Sequence, residues 1–248
     1  MRVIGGWCTV LVWASLCSPL DGIVGGWECV AHSLPYQAYI SRSEEKWCGA
    51  SLLNPTWVLS AAHCYLRPEL MTVWVGAHDL SAEEPSRQPH RVVRAVRHPE
   101  YSLQTTDSDL MLLKVQPPVG LSLSVEPVQL PDSCPSNGTV CRVAGWGNNV
   151  TGGELLAERL QCLDVPVLPD EICEGSYPGM ITRNMFCAGI MEGGREACKV
   201  DSGGPLVCEG LQQGLVSWGY ECGLPGYPSV YTKLCHYLQW INETLAEN

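Results

Sequence analysis

Charged residues are scarce in this chain of 248 residues, and positively charged ones are scarcer still. Asp, Glu, Lys and Arg make up 17% of the chain, and 15 Lys and Arg stand against 26 Asp and Glu, for a formal net charge of −11. Because phosphate contacts need clustered cations, this balance argues against both a nucleic acid and an anionic membrane surface as partner. The apolar fraction of 46% excludes a disordered chain.

Patterns typical of metal sites and membrane spans are missing as well. No two cysteines form a C-x-x-C pair, which argues against zinc-ribbon and thioredoxin-like sites. The histidines lack ligand spacing such as H-E-x-x-H, so we expect neither a metal nor a cofactor. The apolar run at the N-terminus is shorter than the roughly 20 residues that a membrane span needs, and no second apolar segment reaches that length.

The N-terminus carries one early Arg and then an apolar run from Val10 to Leu16, which is typical of a secretory signal. We therefore expect a secreted, extracellular protein in which residues 1–22 hold a signal peptide, with room for a short propeptide. Loss of Cys8 and Cys17 with this segment leaves 12 of the 14 cysteines, an even number that predicts six disulfides of undetermined pairing. Sequons of the type Asn-x-Thr, each a candidate glycosylation site, occur at Asn137, Asn149 and Asn242.

Short apolar or alternating runs, separated by Gly, Pro, Asn and Ser, fill most of the remaining chain. The 25 Gly and 18 Pro favour many turns and short elements over a helical bundle. The runs predict strands of an antiparallel sandwich or barrel at 37–40, 57–60, 72–75, 91–96, 110–115, 140–144, 161–167, 205–207, 214–217 and 229–233. The C-terminus differs, because Leu234, Leu238, Ile241 and Leu245 recur on one face of a helix. The Pro-rich stretch 116–135 is the candidate linker between two β halves.

Three separated motifs carry the chemistry. His63 follows Ser-Ala-Ala and precedes a cysteine, Asp109 opens the apolar run 110–113, and Ser202 stands in Asp-Ser-Gly-Gly-Pro at 201–205. Each motif alone also fits a structural role, but together they supply a base, an orienting carboxylate and a nucleophile. A serine hydroxyl needs an imidazole to take its proton, and a buried carboxylate fixes the tautomer of that imidazole. The two glycines after Ser202 let the backbone approach a reacting carbonyl closely.

With these motifs the chain resembles the trypsin-like serine proteases, and most of all the pancreatic trypsins of vertebrates. The resemblance runs from Ile23 to about Ile241 and includes Ile-Val-Gly-Gly at 23–26, Gly-Trp-Gly at 145–147, Ser-Trp-Gly-Tyr at 217–220 and Val-Tyr-Thr-Lys at 230–233. It implies an all-β fold of two six-stranded antiparallel β-barrels with a C-terminal α-helix. The N-terminal barrel would span 23–133, and the second barrel with the helix 134–248, together one peptidase domain with the active site between them.

The resemblance also implies the roles of individual residues. His63 is the expected general base, Asp109 its orienting group and Ser202 the nucleophile of a secreted endopeptidase that works through an acyl-enzyme. The oxyanion hole would use the N–H groups of Val200 and Ser202, and a freed amine of Ile23 would pair with Asp201. Substrate binding falls to Glu196, Ala197, Ser217, Trp218, Gly219 and Ser229. The implied disulfides are Cys29–Cys162, Cys48–Cys64, Cys134–Cys235, Cys141–Cys208, Cys173–Cys187 and Cys198–Cys222. The expected partners are protein or peptide substrates and proteinaceous protease inhibitors, and the chain is expected to be a monomer.

Activation and the oxyanion hole depart from the trypsin pattern. Gly22 precedes Ile23, where trypsin zymogens have Lys or Arg, so tryptic activation is not expected. Either signal peptidase cuts directly after Gly22, or another protease removes a short propeptide such as 18–22. Val200 stands where the family has a glycine, and a β-branched residue carries a steric cost there if φ is positive.

The specificity pocket and the calcium loop depart too. Glu196 replaces the aspartate at the pocket base, and Ser229 replaces a glycine of the pocket wall, so we expect weakened and altered cleavage after Lys or Arg. Ala77 and Arg87 occupy the two main carboxylate positions of the calcium loop, so we expect no calcium site. These departures support a second hypothesis, a catalytically impaired homologue that acts by binding.

Overall fold

The computed structural model describes residues 25–43, 45–147, 157–194, 201–220 and 223–247, in which antiparallel strands dominate. In chain order the strands are β1 (Trp27–Glu28), β2 (Gln37–Arg42), β3 (Glu45–Asn54), β4 (Trp57–Ser60), β5 (Thr72–Val75), β6 (Gln88–Arg97), β7 (Met111–Gln116), β8 (Val140–Gly145), β9 (Gln161–Pro166), β10 (Met185–Ala188), β11 (Pro205–Cys208), β12 (Leu211–Trp218) and β13 (Ser229–Lys233). The α-helices within these ranges are α1 (Asp170–Ser176) and α2 (Leu238–Ala246).

The strands form two sheets. The first is a closed barrel in the order β2-β3-β4-β7-β6-β5. The second, as far as it is described, is a half-barrel in the order β1-β9-β8-β11-β12-β13-β10. Strand β1 thus pairs with β9 of the second sheet, through Trp27 opposite Cys162. The all-β architecture with a C-terminal helix is therefore confirmed.

Strands β4 and β7 explain how the two sheets are joined. Successive side chains of a strand point to opposite faces, and here both faces are buried. One face, with Val58, Met111 and Leu113, packs inside the barrel. The other face joins a cluster shared with the second sheet and the C-terminal helix, made of Trp57, Leu59, Leu110, Leu112, Leu215, Leu234, Tyr237 and Ile241. The unbroken apolar run at 110–113 therefore serves two cores at once.

Disulfides tie distant parts of the chain together. The bonded pairs are Cys29–Cys162, Cys48–Cys64, Cys134–Cys235, Cys141–Cys208 and Cys173–Cys187. They are five of the six pairs that the resemblance implies, and the sixth, Cys198–Cys222, lies outside the described residues. Two of them close loops of 133 and 101 residues, and long loops lose the most conformational entropy in the unfolded state when they are cross-linked.

The ten predicted strands all coincide with strands of the structure, whereas β1, β3, β10 and α1 were not predicted. Strand β3 mixes charged residues with the small Gly49, Ala50 and Ser51, so it lacks an apolar alternation. Helix α1 is short, and Gly175 within it lowers helix propensity. Its first turn carries Asp170 and Glu171, which favour a helix N-terminus. Within the described ranges, no helix has the length and apolarity to cross a membrane.

Candidate active site

The register of β4 against β7 brings His63 and Asp109 together. Ser60 pairs with Met111 in this antiparallel ladder. His63 follows in a 3₁₀ turn at Ala62–Cys64, and Asp109 lies just before β7, so the two residues extend the same pair of strands. The Nδ1 of His63 lies 2.7 Å from Oδ2 of Asp109, and the backbone N–H of His63 donates to Oδ1 at 2.9 Å.

The Asp109 carboxylate is completely buried and well satisfied by donors. Its side chain is 0% exposed, whereas that of His63 is 31% exposed. Ser217 on β12 donates its hydroxyl to Oδ2 at 2.5 Å, and Thr232 on β13 donates to the Asp109 carbonyl at 3.0 Å. Because a carboxylate facing Nδ1 favours the tautomer that is protonated there, Nε2 is left as the hydrogen-bond acceptor of the ring.

The loop that carries Ser202 is held from both sheets. The carbonyl oxygen of Ser202 accepts the N–H of Gly49 on β3 at 2.8 Å. The N–H of Gly203 donates to the carbonyl oxygen of Val216 on β12 at 2.7 Å. Gly203 has φ +81°, and a Cβ there would lie 2.2 Å from the Ser60 Oγ, so the position requires glycine.

The backbone of Ser202 contacts the 3₁₀ turn that contains His63. The Sγ of Cys64 lies 3.7 Å from the Ser202 carbonyl oxygen. Among the described residues, no hydrogen bond joins the Ser202 hydroxyl to the His63 imidazole. Contacts of this kind are often long in free enzymes and shorten when substrate binds. The structure therefore joins His63 to Asp109 by hydrogen bonds. It places the Ser202 backbone next to Cys64, the residue that follows His63.

Asp201, next to the proposed nucleophile, lies in a closed compartment. Its Oδ1 accepts the N–H of Gly147 at 2.8 Å. A Cβ at Gly145 or Gly147 would lie 1.9 or 2.3 Å from a carboxylate oxygen of Asp201, so the Gly-Trp-Gly motif encloses this side chain. The expected partner of Asp201, Ile23, lies outside the described residues.

Lys46 also faces Asp201, and the sequence analysis missed it. Its Nζ lies 3.7 Å from Oδ1 of Asp201, and the side chains are 3% and 0% exposed. No sequence pattern marks this residue, because a register shift between Cys48 and Lys46, opposite Ile40 and Ser41, interrupts the side-chain alternation of β3.

The described members of the predicted substrate-binding set line the second sheet. Ser217 is buried against Asp109, as described above. Trp218 is half-buried, and its ring packs edge-on against Tyr177 at 4.8 Å between centroids. Gly219 follows it on the surface, and Ser229 is buried in β13 opposite Ala188. Glu196, Ala197 and Val200 lie outside the described residues.

The loop in the calcium-loop position is filled by its own side chains. The carboxylate of Glu84 accepts the N–H of His78 at 2.6 Å and that of Asp79 at 3.1 Å. The Arg87 guanidinium donates to the Leu80 carbonyl at 3.3 Å. The Glu84 carboxylate thus already binds two backbone amides, and the Arg87 guanidinium binds a backbone carbonyl of the same loop.

Among the residues that the structure describes, two groups of Cys and His come close enough to suggest metal ligands. The groups are Cys48, His63 and Cys64, and Cys134, Cys235 and His236. Their cysteines are disulfide-bonded, so they offer no thiolate to a metal. Asn137 and Asn242 are exposed, as a glycan requires, and Asn149 lies outside the described residues.

Comparisons with known proteins agree with the geometry. The sequence model of the Trypsin family matches residues 23–241. The chain is similar to Cationic trypsin-3 of Rattus norvegicus, with 48% identity over 95% of this chain and 96% of the rat protein. It is 46% identical to Trypsin of Sus scrofa, over 92% of this chain and 97% of the pig protein. With Trypsin II-P29 of Gallus gallus the identity is 47%, over 91% of this chain and 90% of the other.

Proposed function

Because the chain belongs to the trypsin family of serine endopeptidases, we propose that it hydrolyses peptide bonds with His63, Asp109 and Ser202 as its catalytic residues. The observation that carries the proposal is the 2.7 Å contact between His63 Nδ1 and the buried Asp109 carboxylate. A buried carboxylate in this position stabilises the imidazolium that forms when His63 takes a proton.

In the proposed reaction, the Ser202 Oγ attacks the carbonyl carbon of the peptide bond while His63 Nε2 takes the hydroxyl proton. The tetrahedral intermediate collapses to an acyl-enzyme, and His63 gives the proton to the departing amine. A water molecule then attacks the ester with His63 again as base, which releases the acid and restores Ser202. The N–H groups of Ser202 and Val200 would stabilise the oxyanion. If φ at Val200 is positive, the steric cost of its β-branched side chain would displace this N–H and lower the rate.

We also propose that cleavage follows Lys or Arg. The basis is Glu196, a carboxylate at the position of the family's pocket base, which would attract a cationic side chain of the substrate. Ser229 adds bulk to the pocket wall, so the preference is weaker than in a trypsin with glycine there. The apolar N-terminal run supports secretion, in line with disulfides, which persist in oxidising compartments.

The proposal is tested with the full-length chain expressed in secretory eukaryotic cells and purified from the medium. Turnover is measured on matched peptide esters with Lys, Arg, Tyr or Leu before the cleaved bond. We expect hydrolysis of the Lys and Arg esters above the others, lost in Ser202→Ala and retained in Ser133→Ala, which removes an exposed hydroxyl. A folded wild-type chain without turnover would favour the impaired homologue that acts by binding.

A further inference from the structure

Lys46 is a buried lysine that faces Asp201, the residue before the proposed nucleophile. Lys46 is on β3 of the first barrel, and its Nζ lies 3.7 Å from Oδ1 of Asp201, with side-chain exposures of 3% and 0%. The ammonium also sits over the Trp146 ring, 5.2 Å from the centroid. A cation and a carboxylate thus meet inside the protein, at the boundary between the barrel and the second sheet.

Burial of a lysine is costly unless its charge is compensated. Removal from water disfavours the ammonium and lowers the pKa of Lys46 to about 8, and the charge of Asp201 opposes this shift. Among the described residues, Nζ has no hydrogen-bond acceptor within bonding distance. The ammonium is therefore held by the Coulomb attraction of Asp201 and the face of Trp146.

The contact has a direct route to the catalytic loop. Asp201 precedes Ser202 in the chain, and its own carbonyl oxygen accepts the N–H of Gly204 at 2.8 Å. Its carboxylate accepts the N–H of Gly147 at 2.8 Å. A shift of the Asp201 side chain would pull on the backbone on either side of Ser202, so a fixed counterion at Lys46 keeps that backbone in place.

We propose that Lys46 is a positioning residue for the peptidase site, whose ammonium holds the Asp201 carboxylate and through it the loop of Ser202. The inference rests on the proposed function and deepens it, because it adds a charge within the chain to the expected amine of Ile23. The carboxylate then has a counterion that needs no proteolytic cleavage.

The proposal has a pH signature. Within the described ranges, the contacts of Lys46 are with the Asp201 carboxylate, the Trp146 ring and the paired residue Ser41 on β2, and of these three Asp201 ionises. Loss of the Lys46 proton would leave Asp201 without this counterion, so kcat should fall as the pH rises above about 8. A freed α-amine at Ile23 would be a second titratable group that pairs with Asp201, so variants of Lys46 are needed to assign the decline.

The test compares kcat and KM for a Lys ester across alkaline pH in the wild type, Lys46→Met and Lys46→Arg. We expect Lys46→Met to lower kcat by at least about tenfold at neutral pH with little change in KM. Lys46→Arg keeps the charge and should move the alkaline decline to higher pH, because a guanidinium stays protonated. The matched control is Lys114→Met, which removes a lysine over the Trp57 ring at 5.7 Å, far from the proposed chemistry, and should leave kcat unchanged.

Each outcome decides the proposal. An unchanged kcat in folded Lys46→Met overturns it, and an increased kcat overturns it in favour of an inhibitory contact. If Lys46→Met fails to fold, Lys46→Gln takes its place because it also removes the charge, and an unchanged kcat in folded Lys46→Gln contradicts the role of Lys46. A wild-type chain without turnover would count against the proposed function itself, whereas an active wild type with unaffected Lys46 variants would count against this inference alone.

Discussion

The backbone N–H of Gly49, in the first barrel, donates to the carbonyl oxygen of Ser202 at 2.8 Å. The two segments touch backbone to backbone, because a Cβ added at Gly49 would lie 2.9 Å from both Cα and N of Gly204. The proposed nucleophile is thus held against the barrel that also carries His63 and Asp109. A small residue on β3 is a condition for the assembled site.

Gly49→Ala should therefore damage both stability and activity. The added methyl group meets backbone atoms that cannot rotate away, and overpacking of this kind costs about 1–3 kcal/mol of folding stability. Displacement of Ser202 should lower kcat by at least about tenfold. Thermal unfolding and ester turnover measure the two effects. Gly175→Ala is the control, since nothing lies within 4 Å of its Cβ, and equal behaviour of the two variants would refute the role of Gly49.

Ser217→Ala should lower kcat more than KM. The Ser217 hydroxyl and the His63 ring share Oδ2 of Asp109, so its loss leaves the carboxylate freer to turn and the imidazole less fixed. We expect about a tenfold loss in kcat, which corresponds to about 1.4 kcal/mol. Steady-state kinetics on a Lys ester checks this, with Ser176→Ala in helix α1 as control. A rise in KM at constant kcat would instead place Ser217 in substrate binding alone.

Lys46 should make stability depend on pH in a defined direction. Its pKa is lowered by burial from 10.5 to about 8 in the folded chain. Between these values the unfolded chain binds a proton that the folded chain does not, so the free energy of unfolding rises with pH through this window. The cause is burial, which disfavours the charged form of Lys46 in the folded chain only.

Urea unfolding at a series of pH values measures this rise, in a Ser202→Ala background that prevents self-digestion. Burial raises the pKa of Tyr36, Tyr39 and Tyr237 to about 12, which acts in the opposite direction at high pH. Their effect cancels in the difference between the parent and Lys46→Met. We expect that difference to grow in favour of the parent from pH 8 upward, and parallel curves would contradict the shifted pKa.

Calcium should leave the stability of the protein unchanged. Glu84 already binds two backbone amides, and Arg87 places a cation against a carbonyl of the same loop. Few oxygens therefore remain for a cation that prefers several anionic ligands. The thermal midpoint is compared in EDTA and in excess calcium. A midpoint that rises with calcium would show a site that the sequence pattern does not predict.

Much of the fold was predictable because β-strand periodicity is a local signal. The strands with apolar runs, such as β4 and β7, were predicted from sequence, and so was the helix carrying Ile241. Strand β3 was not predicted, because its small residues are required by contacts with a distant loop and form no local pattern. Position 49 has no room for a side chain because Gly204 packs against it. This contact joins positions that are 155 residues apart in the chain (204 − 49).

The site shows the same limit. His63, Asp109 and Ser202 stood out because each lies in a motif, and the order of motifs points to known chemistry. Lys46 carries no motif, and a lysine in a strand is ordinarily solvent-exposed. Its significance depends on Asp201, whose position follows from the packing of the Gly-Trp-Gly segment around it. Such a pair becomes visible only when both sheets are in place.

The central claim is that Ser202 is an activated nucleophile, and covalent labelling tests it most directly. The secreted full-length protein is incubated with a fluorophosphonate probe, digested and examined by mass spectrometry, beside Ser202→Ala and an Asp109→Asn variant. The account predicts rapid labelling confined to the peptide with Ser202, slowed in Asp109→Asn and absent in Ser202→Ala. A folded wild-type protein labelled no faster than Ser202→Ala would contradict it.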